Sequence, residues 1–300
     1  MIDHRDDGIF DARHVRRAFA RASRGYAQAA VLQREVEERL LESLDYLDDR
    51  QPEVVLDVGC GPGRASLAMR RRWPKARIVA LDIALPMLRQ VPVREGWNPL
   101  RRPLDRVCAD LRALPLAEAS VDVLFSSLCL QWVDDLPAAF AEFRRVLRPG
   151  GLLLCSTFGT DTLHELRDAF AAADEAPHVS PFVSIAAFGD LLMQAGFRDP
   201  VLDRDVFVRG HPDLQSLMRE LRALGATNAL RARRRTLTGR ARFAAAAAAY
   251  EPLRGGDGLL PSSWEVITAM AWAPEPGTPV RGRQGEIASF PADRIPVRRR

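Results

Sequence analysis

Short apolar runs alternate with amphipathic stretches through the middle of this 300-residue chain. The runs are rich in β-branched residues and nearly continuous, as in strands that are buried on both faces. Five of them are read as strands, at residues 53–59, 76–82, 105–111, 121–128 and 151–158. Their alternation with helical periodicity predicts an α/β fold with a central, mostly parallel sheet and helices on both faces.

Helical periodicity also extends beyond this region. Residues 12–48 have apolar positions at three- and four-residue steps, which predicts a helical segment that acts either as a lid or as a packing helix. After residue 161 the pattern weakens, and the tail from Trp272 is rich in Pro, Gly and Arg, so we expect it to be irregular. Helices are predicted at 64–73, around Met87, and at 136–147, 163–173, 185–195, 214–224 and 239–250, with a strand at 201–208.

These patterns divide the chain into four parts. Residues 1–50 form an N-terminal helical segment and residues 51–160 a Rossmann-like core. Residues 161–272 supply the remaining core elements and a helical addition on the substrate side, and residues 273–300 form the irregular tail.

Composition narrows the function classes. No apolar run is long enough to span a bilayer, and the charged N-terminus lacks the apolar segment of a signal peptide, so we expect a cytoplasmic protein without membrane insertion. The four cysteines and five histidines lack metal-ligand spacing, so no metal is expected. Net charge is +4, and the densest basic stretch, residues 231–242, lacks interleaved aromatics, which argues against nucleic acid. We interpret this stretch as a solvated face or, alternatively, as a contact for an acidic protein.

A glycine-rich loop follows the first predicted strand. Its glycines, Gly59, Gly61 and Gly63, have the spacing G-x-G-x-G, whereas a dinucleotide loop has G-x-G-x-x-G. Asp57 precedes the loop, and its carboxylate would repel a pyrophosphate but suit a cationic ligand. The loop therefore favours S-adenosyl-L-methionine over NAD.

Two further acids end the next two strands. Asp82 is placed to accept hydrogen bonds from both ribose hydroxyls, although a helix N-cap before Ala84 would also use an acid there. Asp110 is placed to meet the adenine amino group, although it is also read as an ordinary loop residue. The apolar neighbours assigned to the same cofactor site are Ile83, Met87 and Leu111.

The loop and the acids resemble those of class I methyltransferases, with DVGCGPG at 57–63 similar to their first motif. This resemblance implies a Rossmann-like methyltransferase fold with N-terminal helices and a helical C-terminal addition, and S-adenosyl-L-methionine as cofactor. It places Asp57 near the methionine part of the cofactor, the three glycines along it, Asp82 at the ribose and Asp110 at the adenine.

Residues 18–36, 126–151, 174–182 and 217–228 also resemble the malonyl-[acyl-carrier protein] O-methyltransferases of biotin synthesis. The resemblance, which covers about residues 13–250, implies methylation of the free carboxylate of a malonyl thioester on acyl carrier protein. A carboxylate is already ionised at neutral pH, so alignment without a catalytic base or metal is expected.

Candidate positions for the substrate side have two sources. Tyr26 and Gln33 are placed on the N-terminal segment, and Gln131 and Trp132 directly after the fourth strand. The resemblance adds His178 and Arg222. Tyr26 and Trp132 are read either as site residues or as core aromatics, and Arg222 either as a group for the thioester or its carrier arm or as a surface arginine. The substrate-side residues are Tyr26, Gln33, Gln131, Trp132, His178 and Arg222.

A second resemblance competes with the first. Four segments are similar to a mitochondrial complex I assembly factor with a methyltransferase-like fold, which is associated with arginine hydroxylation. They are residues 158–170, 177–182, 194–200 and the stretch from Trp272 through Ser289 and Phe290. A third alternative is a degenerate fold that binds a partner without catalysis. The intact glycine loop with Asp57 and Asp82 favours the carboxyl methyltransferase.

Overall fold

A seven-stranded sheet carries the fold in the computed structural model, which describes residues 8–47, 50–93, 103–236, 238–275, 277, 280–282 and 285–287. The strands are β1 Val54–Val58, β2 Arg77–Asp82, β3 Asp105–Cys108, β4 Val121–Ser126, β5 Leu147–Phe158, β6 Arg198–His211 and β7 Leu260–Trp272. Their order is β3-β2-β1-β4-β5-β7-β6, and of these described strands β7 alone runs opposite to the other six. The predicted mostly parallel sheet is confirmed.

Helices cover both faces of this sheet, also as predicted. They are α1 Ala12–Ala22, α2 Tyr26–Ala29, α3 Val31–Glu42, α4 Arg64–Arg72, α5 Leu85–Leu88, α6 Leu136–Val146, α7 His164–Ala171, α8 Ile185–Gln194, α9 Leu214–Ala223 and α10 Arg240–Tyr250. Successive β1 residues point to opposite faces. Leu56 packs with Phe140 of α6 on one face, and Val55 packs with Met69 of α4 on the other.

The N-terminal segment folds into several helices, as predicted, with short breaks between them. The chain breaks between α1 and α2, where Gly25 donates its N–H to the carbonyl of Ala22. Glycine is a poor helix former, so it permits this turn inside a segment whose apolar periodicity continues through it. A 3₁₀ turn, Ser43–Leu47, follows α3. The break turns Tyr26 toward the carboxyl edge of the sheet.

Strand β7 was missed from the sequence because polar residues interrupt its apolar pattern. Ser262 and Glu265 are buried, yet each has a partner: Ser262 Oγ lies 2.9 Å from His211 Nε2, and Glu265 Oε1 accepts from Arg204 Nε at 2.6 Å. These contacts join β7 to β6, so the burial of polar groups is offset by hydrogen bonds.

The tail is not irregular throughout, because β8 Val280–Gly282 pairs antiparallel with β9 Gly285–Ile287. Among the described residues, no helix has both the length and the apolar character needed to cross a membrane.

Candidate functional site

The carboxyl ends of β1 to β4 meet around one cavity, as expected for an open parallel sheet. The cavity is covered by the N-terminal segment and bordered at one end by Trp132. Most of the predicted cofactor residues line it, namely Gly59, Gly61, Asp82, Ile83, Met87, Asp110 and Leu111. Tyr26, predicted for the substrate side, lines it as well.

The glycine loop needs glycine for two separate reasons. Gly59 and Gly61 have φ values of +71° and +54°, in the left-handed region that other residues avoid. A Cβ on Gly59 would lie 2.6 Å from Cys129 Cβ, whereas the nearest atom to a Cβ on Gly61 would be Tyr26 Cε1, at 3.9 Å across the cavity. Packing against Cys129 therefore excludes any side chain at position 59, whereas the missing side chain of Gly61 leaves open the space that a ligand would occupy.

Gly63 has a different place from the other two glycines. It precedes α4 with φ +84°, and a Cβ there would lie 2.8 Å from Val91 Cγ1. It is the N-cap residue of α4 and does not line the cavity, so its predicted contact with a cofactor stays a prediction.

Asp82 joins the glycine loop to β2. Its Oδ2 accepts from the N–H of Gly61 at 3.0 Å and its Oδ1 from the N–H of Ala84 at 2.7 Å. The alternative interpretation of Asp82 as a helix N-cap is wrong, because α5 begins at Leu85, has Ala84 as its N-cap residue and receives no side-chain cap. A carboxylate has about four acceptor sites, so both oxygens keep capacity for a ligand.

Asp110 has less capacity to accept hydrogen bonds from a ligand than its sequence position predicted, because Arg112 already binds both of its oxygens. Arg112 donates from Nε to Oδ1 at 3.1 Å and from a terminal nitrogen to Oδ2 at 2.8 Å. Burial works to raise the pKa of Asp110, but these hydrogen bonds prevail and lower it. Asp110 is therefore an ionised, arginine-bound acceptor at the cavity wall, and Arg112 is a site residue that sequence reasoning missed.

Asp57 lies beneath the loop and borders a small adjoining pocket with Gln33, Tyr26 and Glu37. Its Oδ2 accepts a hydrogen bond from the Ser66 hydroxyl. Gln33 Oε1 is buried in this pocket and has no hydrogen-bond partner within the described part of the chain. An acceptor in this condition calls for a donor from a ligand or water.

Burial raises the pKa of Asp57 to about 7 and that of Asp82 to about 6. For Asp57, the nearby Glu37 and Asp82 charges add to the effect, and the Ser66 hydrogen bond opposes it. Ionisation of these groups costs free energy because they are buried, and a cationic ligand would offset that cost.

We therefore expect a pH-dependent stability from Asp57. Its folded pKa is raised, so the folded state holds its proton longer than the unfolded state, and stability is lost as pH rises from about 4 to about 7. Relative to wild type, Asp57→Asn should gain roughly 5 °C in Tm between about pH 5 and about pH 8, without ligand. Differential scanning calorimetry measures this, with Asp168→Asn, at an exposed position of α7, as the matched control. If the Tm difference between Asp57→Asn and wild type were the same at both pH values, the raised pKa of Asp57 would be contradicted.

The N-terminal segment closes the cavity through aromatic contacts that the sequence analysis did not identify. The ring centroids of Phe10 and Phe19 lie 6.1 Å and 5.3 Å from that of Trp132. The N–H of Asp11 donates to the carbonyl of Ala229 at 2.8 Å. The segment therefore both lines the cavity, with Phe10, Phe19 and Tyr26, and packs against Trp132.

A second cavity, the acceptor cavity, begins on the other side of Trp132. Its wall is mainly apolar and aromatic, and it contains four of the predicted substrate-side residues: Gln131, Trp132, His178 and Arg222. Gln131 donates from Nε2 to the carbonyl of Leu128 at 2.7 Å, and its Oε1 is buried with no partner among the described residues. His178 stacks on Phe170 at 4.1 Å, and its Nε2 lies 3.2 Å from Asp174 Oδ2.

Two cavities that meet at one aromatic side chain suit a transfer between two bound molecules. Tyr26 and Gln33 lie at the cofactor side, and the other four substrate-side residues lie at the acceptor cavity. Across the described ranges, no cluster of three or more His, Cys, Asp or Glu side chains is arranged to hold a metal ion.

Comparisons with known proteins agree with this arrangement. Residues 56–155 match a family described as a methyltransferase domain. The chain is 61% identical to a malonyl-[acyl-carrier protein] O-methyltransferase of Xylella fastidiosa, over 98% of this chain and 99% of the relative. It is 43% identical to a protein of the same name from Gallionella capsiferriformans, over 89% of this chain and 93% of the relative.

Solved structures match in fold. The YcgJ protein of Bacillus subtilis matches with a TM-score of 0.55 and 14% identity, covering 79% of this chain and 99% of that one. A putative methyltransferase of Bacillus halodurans matches with a TM-score of 0.53 and 17% identity, covering 78% and 98%. At these identities the likeness shows a methyltransferase-like fold and nothing finer.

Proposed function

This chain belongs to the malonyl-[acyl-carrier protein] O-methyltransferase family, and we propose that it methylates the free carboxylate of malonyl-acyl carrier protein. The observation that carries the proposal is identity to the Xylella relative over nearly the whole of both chains, including the segments that build the acceptor cavity. The product is a methyl ester, which hides a charge so that fatty-acid enzymes accept the chain in an early, pimeloyl-forming step of biotin synthesis.

S-adenosyl-L-methionine is the cofactor, as membership in this family of methyltransferases indicates. The residues fit it, because Gly61 leaves an open cradle and Gln33 Oε1 is a buried acceptor without a partner. When bound, the cofactor supplies a sulfonium methyl group that is open to attack by an oxygen nucleophile.

Our assignment of the cofactor contacts follows the shape of the cavity. Asp82 would hold the ribose hydroxyls, and Ile83, Met87, Leu111 and Asp110 would hold the adenine. Gly59 and Gly61, with Asp57, Gln33 and Tyr26, would hold the methionine part. Its ammonium group suits the Gln33 oxygen and the negative charge of Asp57.

The remaining residues position the acceptor. The malonyl carboxylate is ionised at neutral pH, so no side chain need remove a proton, and the chain's task is to hold its oxygen in line with the methyl group. Trp132 separates the two cavities, and we place the carboxylate beside it. Gln131 Oε1 is free to accept from an amide N–H of the carrier arm. His178 and Arg222 lie further along the same cavity.

We place the reaction in the cytoplasm and assign no nucleic-acid or membrane partner. In support, Cys60, Cys108, Cys129 and Cys155 are all free, as a reducing compartment keeps them. Ser289 and Phe290, which carried part of the resemblance to the assembly factor, lie outside the described residues. No described contact favours an arginine substrate over a carboxylate.

The test is a transfer assay with methyl-labelled S-adenosyl-L-methionine and malonyl-acyl carrier protein. We expect one base-labile methyl ester per malonyl group and no labelling of acetyl-acyl carrier protein, which lacks the free carboxylate. Cofactor binding by calorimetry without transfer to any malonyl thioester would overturn the proposal and point to a protein substrate.

A further inference from the structure

A basic groove lies on the surface where the acceptor cavity reaches the solvent. It runs between α1 and α9, and residues of both helices line it. Its charged or titratable lining residues are His14, Arg21, Arg219 and Arg222, and no carboxylate is among its lining residues in the described part of the chain. The three arginines are exposed to solvent.

Arg222 borders both the groove and the acceptor cavity, and Thr227 does so as well. His14 Nε2 lies 3.3 Å from Thr227 Oγ1, so α1 meets this boundary directly. The three spaces therefore follow one another. Trp132 joins the cofactor cavity to the acceptor cavity, and Arg222 joins the acceptor cavity to the groove.

This sequence of environments matches the chemistry of a thioester on a carrier arm. Such an arm has an acyl end, then an apolar and amide-containing stretch, then a phosphodiester attached to an acidic protein. The acceptor cavity offers aromatic walls and the Gln131 acceptor, and the groove offers arginines for the phosphodiester and for acidic side chains.

The arginine stretch at 231–242 is less suited to this task. Arg233 forms an ion pair with Asp11 at 2.9 Å, and Arg234 with Asp174 at 2.6 Å, so these charges hold the fold together. The hypothesis that this stretch as a whole contacts an acidic protein is therefore replaced by a different surface.

We propose that acyl carrier protein docks on the face formed by α1 and α9, with Arg21 and Arg219 contacting its acidic surface and phosphodiester. Its arm passes Arg222 into the acceptor cavity and brings the malonyl carboxylate to Trp132. This inference rests on the proposed function and adds the partner's docking site to it.

The test compares charge reversal on the two basic surfaces. Arg21→Glu with Arg219→Glu should raise the KM for malonyl-acyl carrier protein by about tenfold or more at low salt, because opposed charges weaken the encounter. Arg240→Glu with Arg242→Glu, on exposed positions of α10, is the matched control and should stay within about twofold of wild type. A milder pair, Arg21→Gln with Arg219→Gln, should give a smaller rise in the same direction.

A small malonyl thioester of N-acetylcysteamine separates docking from catalysis. It lacks both phosphodiester and protein, so its kcat/KM should be alike in the docking and control variants. An unchanged KM for malonyl-acyl carrier protein in both docking variants would overturn the docking site. Equal losses on both substrates would overturn it too. Both of these outcomes differ from failure of the proposed function, in which the wild-type protein would methylate neither malonyl-acyl carrier protein nor the small thioester.

Discussion

Replacing Asp82 by alanine is expected to weaken the binding of S-adenosyl-L-methionine by about a hundredfold or more. Two hydrogen bonds from ribose hydroxyls to one carboxylate contribute about 3 kcal/mol together, which corresponds to that factor. The variant also removes the acceptors of the Gly61 and Ala84 N–H groups, so the glycine loop keeps only its backbone hydrogen bonds from Gly59 and Cys60 to the Leu81 carbonyl of β2. Isothermal titration calorimetry measures the dissociation constant, and thermal unfolding of the free protein shows whether the fold persists.

A second variant keeps this prediction testable if the alanine variant unfolds. Asp82→Asn preserves the volume but turns one acceptor into a donor, so we expect about a tenfold loss of affinity with a smaller change in Tm. Asp168→Ala, at an exposed position of α7, is the control for loss of a carboxylate elsewhere. Wild-type affinity in Asp82→Asn would show that the ribose is held by other groups.

Asp82 also illustrates which parts of the site were predictable from sequence. The acids and glycines follow individual strands, and strand order in a parallel α/β sheet brings those strand ends to one edge. Local sequence therefore sufficed for Asp57, Gly59, Gly61, Asp82 and Asp110. Gln131 and Trp132 were placed by their position after the fourth predicted strand, whereas His178 and Arg222 were available only through a family resemblance, because they come from distant parts of the chain.

The features that sequence reasoning missed depend on contacts between distant segments. Strand β7 contains buried Ser262 and Glu265, whose burial is acceptable only because β6 supplies their partners. The pairing of Arg112 with Asp110 changes what that acid is free to accept, and the spacing alone does not reveal it. Likewise, the groove appears only when α1 and α9, about 200 residues apart, are brought together.

At Gly59, the local effect of backbone conformation on stability can be measured separately from the effect of a contact with a distant segment. Gly59→Ala is expected to cost about 3 kcal/mol of folding free energy, of which about 1 kcal/mol arises from the left-handed backbone and the rest from overlap with Cys129. Gly258→Ala is the matched control, because its φ is +77° but nothing lies within 4 Å of its Cβ position. Urea denaturation of Gly258→Ala should therefore show only the loss of about 1 kcal/mol of folding free energy that comes from the left-handed backbone.

Removing the opposing side chain should rescue Gly59→Ala. In Gly59→Ala with Cys129→Gly, the space taken by the new methyl group is vacated, so we expect a favourable coupling of about 1–2 kcal/mol in a double-mutant cycle. Cofactor affinity, lost in Gly59→Ala, should return in part with the fold. Additive free energies in the cycle would mean that backbone strain alone excludes a side chain at Gly59. The expected favourable coupling would instead show that the loop after β1 requires glycine at position 59 because Cys129, in the segment after β4, packs directly against it.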